Sequence, residues 1–563
     1  MLGKLLTTTL PLACTLPIFL FLELITAELN IFVGGAVNAQ PAKTESADIV
    51  IYGGTSSGIV AAVAAAREKR SVILLEASEH LGGMTTGGLG ATDVGNPGAI
   101  GGYGREFYNR VEQYYIRRYG KDSPQVKECR NGFRFEPHVA SRVYRDMIEE
   151  CGIKVYIREP LRHVKKEGNR IVEIVTGGGR IWRANVYIDA SYEGDLMAQA
   201  GVSYVVGREG RKDFGESLAG AQEFSKAHQW YIKVSPYDAM GRLLPFVQPG
   251  PLDPPGTGDR KVQAYNFRLC LTRRADLRLP WPRPRHYDAG KYELLARYLA
   301  ARPDVKFAEL CNPVPVPNEK TDTNNNGPFS TDHIGANWDY PDGDEATRRR
   351  IWQDHVDYIQ GFFYFLAHDP RVPAKLQEEV RSWGLSKDEF GDTNNWPPQL
   401  YIREARRMRG LYIMTQHDIQ EQRYKEDSVG LGSYNMDSHH VQRVPTREGG
   451  VINEGDFQVR VQPYSIPYRS LCPKNEECSN LLVPVCLSAT HVAYGSIRME
   501  PVYMILGQAS GVAAHLAIEH RCPVQEIPVA TLRDKLRQQK AILSPDEIPG
   551  KAPAKKSPAT GKE

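Results

Sequence analysis

A glycine-rich turn and one acidic residue have the types and spacing that bind a dinucleotide. Gly53 and Gly58 match the first and third glycines of the G-x-G-x-x-G pattern, Thr55 stands at the second, and Glu76 follows. A pyrophosphate binds at a helix N-terminus, where free backbone N–H groups and the helix dipole favour negative charge and glycines allow close approach. Glu76 can accept hydrogen bonds from both ribose hydroxyls. These residues predict a phosphate and ribose site.

A second glycine-dense segment follows the turn. Residues 82–90 contain five glycines in nine positions, which is too many for an ordinary surface loop. A chain that passes tightly along a long cofactor explains this density and favours FAD over NAD. The residues predicted to bind the cofactor in these two segments are Gly53, Gly54, Thr55, Ser57, Gly58, Glu76, Ala77, Gly82, Gly83, Met84, Thr85 and Gly88.

Histidines are the candidates for a catalytic base. A dehydrogenase of alcohols or amines needs a base near the hydride donor, and histidine titrates near neutral pH. His491 precedes a C-terminal helix and is the first candidate, with His333 and His439 behind it. Each of the three can equally be a structural residue, and the sequence leaves that alternative open.

Two other polar segments have a functional and a structural interpretation. Arg403, Arg406 and Arg407 can clamp a carboxylate or sulfate, but a solvated or salt-bridged helix face is the simpler expectation. Residues 322–327 match the first half of a calcium loop, but the twelfth position is His333 instead of the bidentate Glu. We therefore predict a polar, Asn-rich loop at 322–327 and no bound metal.

The elements that must position these residues form an α/β pattern. Residues 48–52 are a short apolar strand, residues 59–67 an alanine-rich helix, and residues 71–75 the next strand, which ends at Glu76. Further along, the pattern predicts a buried strand at 186–190, a helix at 344–366, a strand at 480–485 and a helix at 501–519. The first three elements are a βαβ unit. They predict a Rossmann-type domain.

The domain organisation follows from these elements and from composition. A chain of 563 residues with 41% hydrophobic content is longer than one core usually serves. We expect a discontinuous cofactor domain with an inserted α+β substrate or cap domain. The predicted ranges are a signal peptide at 1–39, the first part of the cofactor domain at 46–205, the insertion at 206–455, the C-terminal part of the cofactor domain at 456–530 and a disordered tail at 545–563.

Charge and the N-terminus limit the partners and the compartment. The formal net charge of +3 provides no large basic field for nucleic acid, so a small-molecule substrate is expected. Lys4 precedes an apolar run from residue 5 to residue 22, and Ala39 ends a small-residue motif before Gln40. This pattern predicts cleavage and export, to the periplasm or beyond. Two acidic residues interrupt a second apolar block, which leaves an uncleaved N-terminal membrane anchor open. The oligomeric state is not predicted.

The cysteines suggest no metal cluster. Nine are present, and none of them has the C-x2-C pairs of zinc sites or the spacing of iron–sulfur motifs. Cys472 and Cys478 can close a small loop in an oxidising compartment, or remain buried free thiols.

The motifs together resemble a known family. Residues 52–59, the run from 81 to 93, the segment Ile188-Asp189-Ala190-Ser191-Tyr192-Glu193-Gly194-Asp195, residues 403–407 and residues 488–511 resemble the FAD-dependent oxidoreductases. That family shares its flavin module with the flavin-binding polypeptide of heterodisulfide reductase, whose iron–sulfur motifs this chain lacks. Thr commonly replaces the middle glycine in the family. The resemblance implies that Asp189 and Ala190 also contact FAD.

The resemblance also gives the C-terminal helix a role. It implies that the helix N-terminus, near Arg498 and Pro501, points at the flavin pyrimidine ring. The helix dipole and Arg498 would then stabilise the negative charge that develops when hydride reaches the flavin. The small residues at 507, 510 and 511 permit close packing of this helix against the Rossmann unit.

The expected function is an exported FAD-dependent oxidoreductase that transfers hydride from a small polar substrate to flavin. One alternative is an NAD-linked dehydrogenase, with which Glu76 is equally compatible. The other is an exported carbohydrate-active or carbohydrate-binding protein with a vestigial Rossmann unit. The glycine run and the C-terminal helix favour FAD.

Overall fold

The first sheet collects the predicted cofactor segments at one edge. The computed structural model describes residues 43–421, 423 and 425–550. The strands of this sheet are β1 (Thr44–Tyr52), β2 (Val72–Leu75), β3 (Lys154–Tyr156), β4 (Leu161–Glu167), β5 (Arg170–Thr176), β6 (Arg180–Asp189) and β20 (Leu481–Leu482). Their order is β3-β2-β1-β6-β5-β4, and β20 pairs with β6.

The parallel strands end together. In β1, Tyr52 lies opposite both Leu75 of β2 and Asp189 of β6, and Leu482 of β20 lies opposite Ile188. The start of β6 pairs antiparallel with β5, and β5 with β4. Ligands of such doubly wound folds bind beyond the carboxyl ends of the strands. The predicted α/β, Rossmann-type architecture is confirmed.

Helices pack on one face of this sheet, whereas side chains of β4 and β5 and the 196–202 segment bury most of the other face. Residues 49–51 of β1 are fully buried, as expected for a parallel strand covered on both sides. The helix after β1 starts at Ser56, three residues earlier than predicted, because Thr55 caps it by accepting a hydrogen bond from Gly58 N–H. The helices are α1 (Ser56–Arg67), α2 (Gly83–Thr86), α3 (Gly102–Tyr119), α4 (Pro124–Cys129), α5 (Pro137–Glu150) and α6 (Asp195–Gln199).

The middle of the chain contains a second sheet that the sequence did not reveal. Five antiparallel strands have the order β10-β11-β8-β12-β9, taken from β8 (Leu269–Thr272), β9 (Arg278–Leu279), β10 (Cys311–Val316), β11 (Lys320–Asn325) and β12 (Gly384–Ser386). Strand β11 is almost entirely polar, so hydrophobic periodicity could not identify it. The helices of this region are α7 (Arg211–Phe214), α8 (Glu293–Ala301), α9 (Glu345–His368), α10 (Ala374–Arg381) and α11 (Gln416–Gln420).

Four short antiparallel strand pairs lie outside the two larger sheets. These pairs are β7 (Tyr204–Val205) with β13 (Arg407–Met408), β14 (Ser428–Gly432) with β19 (Tyr464–Pro467), β15 (Met436–Ser438) with β18 (Phe457–Val459), and β16 (Gln442–Pro445) with β17 (Val451–Glu454). The remaining helices are α12 (His491–Ile497), α13 (Glu500–His520) and α14 (Val529–Gln538). Single 3-10 turns lie at Pro97–Ala99, Ala289–Tyr292, Phe307–Glu309, Gly391–Thr393, Tyr468–Leu471, Val524–Glu526 and Pro545–Glu547.

Two predictions concern the ends of the chain. The predicted leader at 1–39 lies outside the described residues. The predicted disordered tail starts too early, because Pro545–Glu547 is a 3-10 turn and Ile548 packs with Ala99 and Leu431. Within the described residues, α13 alone is long and apolar enough to cross a membrane, but nearly all of it is buried inside the protein.

Helix α13 packs directly on α1, and both run in the same direction. A Cβ atom on Gly507 would collide with the carbonyl oxygen of Ser57, and one on Gly511 with that of Ala61. The two helices contact each other without intervening side chains at these points. Since Gly507 of α13 lies against Ser57 of α1, the first two turns of α13 extend beyond the start of α1, and the side chain of Glu500 reaches back to Ser56 at the cofactor edge of the sheet.

We expect Gly507→Ala to destabilise the protein by about 1–3 kcal/mol, because the added methyl group overpacks the α1–α13 contact. The matched control is Gly178→Ala, since a Cβ there would meet no atom within 4 Å. Chemical and thermal unfolding of both variants measures the difference. Equal stabilities of the two variants would show that the close α1–α13 contact does not restrict the side chain at position 507.

Candidate functional site

The turn after β1 forms a phosphate site at the start of α1. Gly53 has a φ of +104°, a conformation that favours glycine, and a Cβ on Gly58 would collide with the carbonyl oxygen of Gly53. Thr55 donates to the carbonyl oxygen of Ala190 at 2.8 Å, so it ties the turn to β6 in addition to capping the helix. The buried hydroxyl of Ser57 has no hydrogen-bond partner. The first N–H groups of a helix have no intrahelical acceptor, so this end can receive an anion.

Glu76 lies beside the same turn. Its Oε2 accepts a hydrogen bond from Gly54 N–H and its Oε1 one from Ser78 N–H, both at 2.7 Å. Each oxygen keeps a second lone pair. Glu76 and Ala77 line a cleft of about 220 Å³ together with Gly53, Thr55 and Gly83. The cleft therefore joins the predicted ribose and phosphate residues.

The glycine run folds against this cleft. Gly82 and Gly83 precede and open α2, and Met84 N–H donates to the hydroxyl of Tyr192 at 2.9 Å. Thr85 donates to Glu500 at 2.8 Å. A Cβ on Gly88 would collide with the carbonyl oxygen of Arg268, so this glycine allows close contact with the inserted region.

Asp189 and Ala190 lie at the end of β6. The carboxylate of Asp189 accepts from Ser191 N–H, from the Ser191 hydroxyl and from Met197 N–H. Burial raises its pKa to about 6. The described contacts of this side chain are therefore all with residues 191–197. The carbonyl oxygen of Ala190 accepts a hydrogen bond from Thr55.

A carboxylate orients His491. Glu404 Oε2 lies 2.7 Å from His491 Nδ1, and both side chains are buried. Burial disfavours the charged carboxylate, but His491 and Arg407 outweigh it and lower the pKa of Glu404 to about 2. An ionised carboxylate can only accept, so the Nδ1 atom carries the proton. Among the described residues, His491 Nε2 is buried without a hydrogen-bond partner.

A chain of polar contacts connects His491 to Arg498. Gln263 donates to Glu404 Oε2 at 3.0 Å and accepts from His439 N–H at 3.1 Å. His439 Nε2 lies 3.8 Å from an oxygen of Asp437, which in turn lies 3.1 Å from Arg498 Nη2. The structure thus brings two of the predicted histidines and Arg498 into one group. We call it the buried polar cluster, and its members are Asp332, Arg403, Glu404, Asp437, His439, His491 and Arg498.

His439 belongs to a second histidine–carboxylate pair. Its Nδ1 lies 2.7 Å from Asp332 Oδ2. Burial and the neighbouring Arg403 lower the pKa of His439 to about 4, so its imidazole is neutral at physiological pH. Asp332 also pairs with Arg403 at 3.0 Å.

His333 lies apart from this group. Its ring stacks on Tyr358 with ring centroids 4.1 Å apart, and Nε2 lies 2.9 Å from Asp354. Burial lowers its pKa. Among the described residues, its Nδ1 is buried without a hydrogen-bond partner, as is Nε2 of His491, but the stacking on Tyr358 is typical of a structural aromatic residue.

The three predicted arginines are all engaged by carboxylates. Arg403 pairs with Asp332, Arg406 with Asp195 and Asp342, and Arg407 with Glu209 and Glu404. The expected helix face is wrong in one respect, because residues 402–406 are not helical and Arg407 begins β13. The salt-bridged interpretation applies, since residues 403, 406 and 407 lie in the protein interior.

The calcium-like segment is a strand. Residues 322–325 belong to β11, and Asp322 makes a bidentate ion pair with Arg268 at 2.7 Å. The predicted loop at this position is therefore wrong, because Arg268 and Ala91 N–H bind the Asp322 carboxylate. Cys472 and Cys478 are buried free thiols.

One other group of metal-type ligands is occupied by a lysine. Glu136, His138 and Glu389 have ligand atoms within 4.8 Å of one another. The ammonium group of Lys320 lies 2.8 Å from Glu136 and 2.7 Å from Glu389. It supplies the positive charge that a metal ion would bring.

Most of the side chains that bind the predicted residues have no recognisable pattern in the sequence. Glu404 stands in the quoted 403–407 motif, and an acid among arginines was the available signal. Asp332, Asp437 and Tyr401 have no sequence signal. Tyr401 accepts a hydrogen bond from Arg498 at 3.1 Å. Glu500, the first residue of α13, binds Ser56, Thr85 and Tyr192.

The residues at the cofactor edge fit FAD. A pyrophosphate fits the first turn of α1, where the glycines allow close approach and the Ser57 hydroxyl is available. A ribose fits Glu76, whose two oxygens can each accept a further hydrogen bond. A larger surface groove of about 980 Å³ lies between α3 and α5. None of the predicted cofactor residues lines it.

Solved structures that resemble the chain are flavoenzymes of low identity. L-amino acid deaminase from Proteus myxofaciens has 16% identity and a TM-score of 0.23, over 30% of this chain and 52% of that chain. The FAD-dependent chondrochloren halogenase of a myxobacterium has 19% identity and a TM-score of 0.22, over 29% and 41%. The flavin-containing monooxygenase from Stenotrophomonas maltophilia has 19% identity and a TM-score of 0.19, over 30% of this chain and 44% of that chain. The chain covers about half or less of their lengths.

A comparison with curated proteins found no match. The protein-family model described as FAD dependent oxidoreductase matches residues 48–536, which include the phosphate turn, the glycine run, the inserted region and α13. The chain belongs to the family of FAD-dependent oxidoreductases.

Proposed function

We propose that this protein is an exported dehydrogenase or oxidase that removes a hydride and a proton from a small, polar, uncharged substrate. The observation that carries the proposal is His491, whose Nδ1 is held by an ionised carboxylate while its buried Nε2 has no partner. This is the arrangement of a general base whose proton state is fixed by its neighbour. FAD, when bound, accepts the hydride.

The reaction divides between His491 and the cofactor. His491 Nε2 takes the proton from a hydroxyl or amine of the substrate, and the adjacent carbon loses its hydride as the C=O or C=N bond forms. Glu404 stabilises the imidazolium that results, since it already lies 2.7 Å from Nδ1. Such a base contributes about 10²- to 10⁴-fold to the rate.

Charge in the buried polar cluster favours an uncharged substrate. Arg403 already pairs with Asp332, and Arg498 with Asp437. A substrate carboxylate would have to displace one of these built-in carboxylates or enter beside it. Leaving a buried charge without its partner costs about 3–5 kcal/mol. Alcohols, polyols and neutral sugars avoid this cost.

The inserted region is the proposed substrate and cap region. Asp332, Arg403 and Asp437 come from residues 206–455, whereas His491 and Arg498 come from the C-terminal part. The cluster therefore forms at the boundary between the two predicted parts, and we propose that the substrate binds there.

We expect His491→Asn to slow flavin reduction by about 10²- to 10⁴-fold with little loss of bound FAD, because the base is lost while the phosphate site is intact. An anaerobic screen of polyols, sugars, amino acids and hydroxy acids first identifies a donor by the bleaching of flavin absorbance. Stopped-flow reduction then measures the variant. His333→Asn is the matched control and should reduce at nearly the parent rate. Equal rates for parent and His491→Asn, or reduction by NADH alone, would contradict the proposal.

We expect Arg498→Ala to lower the flavin midpoint potential by about 30 mV or more, since a loss of about 1.4 kcal/mol on a two-electron couple corresponds to that shift. A positive charge near the flavin favours the more negative reduced state. Spectroelectrochemistry of the flavin-saturated variant measures the potential. Asp437→Asn removes the opposite charge and should raise it. If Arg498 serves only as the ion-pair partner of Asp437, both variants will lose stability and neither will shift the potential.

Export rests on the leader alone. We expect the mature protein to begin at Gln40, because Ala39 ends the small-residue motif that signal peptidase cleaves. Intact-mass spectrometry of the protein from its native cell envelope measures this. A mass that includes Met1 would favour the uncleaved anchor.

A further inference from the structure

One buried carboxylate connects three segments of the cofactor edge. Glu500 Oε2 accepts hydrogen bonds from the Ser56 hydroxyl at 2.5 Å and from the Thr85 hydroxyl at 2.8 Å. Its Oε1 accepts from the Tyr192 hydroxyl at 2.6 Å. These donors belong to the start of α1, to the glycine run and to the loop after β6, respectively. Glu500 itself is the first residue of α13 and is 5% exposed.

Hydroxyl and phenol groups of the described residues surround this carboxylate. Among the described residues, no Lys, Arg or His lies within ion-pair distance of Glu500. The titratable groups that face it are Tyr108 of α3, Tyr144 of α5, Tyr192 and Tyr503 of α13. Burial raises the pKa of each of these phenols, so all four stay neutral. The hydroxyls of Tyr108 and Tyr144 are buried without hydrogen-bond partners.

We propose that Glu500 is the positioning residue of the cofactor site, that it holds the hydroxyls of Ser56, Thr85 and Tyr192 in place for FAD, and that FAD binding drives proton uptake by its carboxylate. The proposal rests on the family's cofactor and not on the substrate reaction.

The argument for positioning is geometric. Ser56 opens the helix that receives the pyrophosphate, and its side chain is fixed by Glu500. Tyr192 donates to Glu500 and also accepts from Met84 N–H, so it passes the constraint on to the glycine run. A carboxylate can accept all three hydroxyl donors, whereas an amide offers one oxygen and two N–H groups.

The argument for proton uptake is electrostatic. The N-termini of α1 and α13 both favour negative charge at this point, and in the protein without FAD the carboxylate is the anion they stabilise. The pyrophosphate brings further negative charge to the same place. Burial already raises the pKa of Glu500, and a second anion raises it more. FAD affinity should therefore be highest where Glu500 is protonated and fall as the pH rises through its pKa.

The test is a titration of the apoprotein with FAD over a range of pH, followed by flavin fluorescence. We expect the parent protein to lose up to about tenfold in affinity per pH unit in the window where Glu500 titrates. Glu500→Gln, whose amide offers an acceptor oxygen and a donor as the protonated carboxyl does, should bind FAD about as tightly as the parent at acidic pH, and its affinity should vary less with pH.

The matched control is Glu216→Gln. Glu216 is also buried and also accepts two hydrogen bonds, from Thr490 and Gln416, and burial raises its pKa as well. It contacts none of the cofactor segments. This variant should keep the parent pH profile. His80 and Glu193 line the cleft and can contribute to the profile of all three proteins, so the difference between profiles isolates Glu500.

If Glu500→Gln does not fold, Thr85→Val removes a single donor instead. Fewer donors stabilise the anion less, so the pKa of Glu500 rises and the fall in affinity should move to higher pH. A Glu500→Gln profile with the parent slope, or a Thr85→Val profile without a shift, would overturn the proposal. An equally flattened pH profile in Glu216→Gln would overturn it as well.

Discussion

The contact between α1 and α13 is the constraint on which the site depends. Gly507 and Gly511 let the two helices touch backbone to backbone, and this register leaves Glu500, at the start of α13, within reach of Ser56, at the start of α1. One helix then serves the phosphate turn and the other brings Glu500 to the same edge. Residues more than 400 positions apart in the chain become neighbours, as the bond between Ser56 and Glu500 records. A larger side chain at either glycine would separate the two halves of the cofactor domain.

The cofactor edge and the buried polar cluster stabilise their charged side chains in different ways. At the cofactor edge, hydroxyls and helix termini hold Glu500, and no cation of the described part of the chain pairs with it. In the buried polar cluster, each arginine has its own carboxylate, and Glu404 is shared between Arg407 and His491. Buried ion pairs of this kind add little net stability, but losing one partner is costly. They keep the side chains in fixed positions, which a base such as His491 requires.

The opening βαβ unit was predictable because its physics is local. The run from β1 to β2 contains apolar strands, an alanine-rich helix and a glycine turn, and each has a periodic or positional signal. The polar strand β11 has no such signal, since the buried partners of its side chains, such as Arg268 for Asp322, come from distant parts of the chain. The same holds for the site. Glycines and His491 could be named from spacing, but the pairing of Glu404 with His491 depends on the tertiary fold.

The sequence suggested that the dipole of α13 and Arg498 act together on the flavin. The structure adds two carboxylates to that picture. Asp437 pairs with Arg498, and Glu500 occupies the first position of the helix, where an ionised side chain offsets the positive end of the dipole. A protonated Glu500 leaves the dipole available, whereas an ionised one cancels part of it. The electrostatic field at this edge therefore depends on the protonation of one buried carboxyl group, and the helix dipole alone does not determine it.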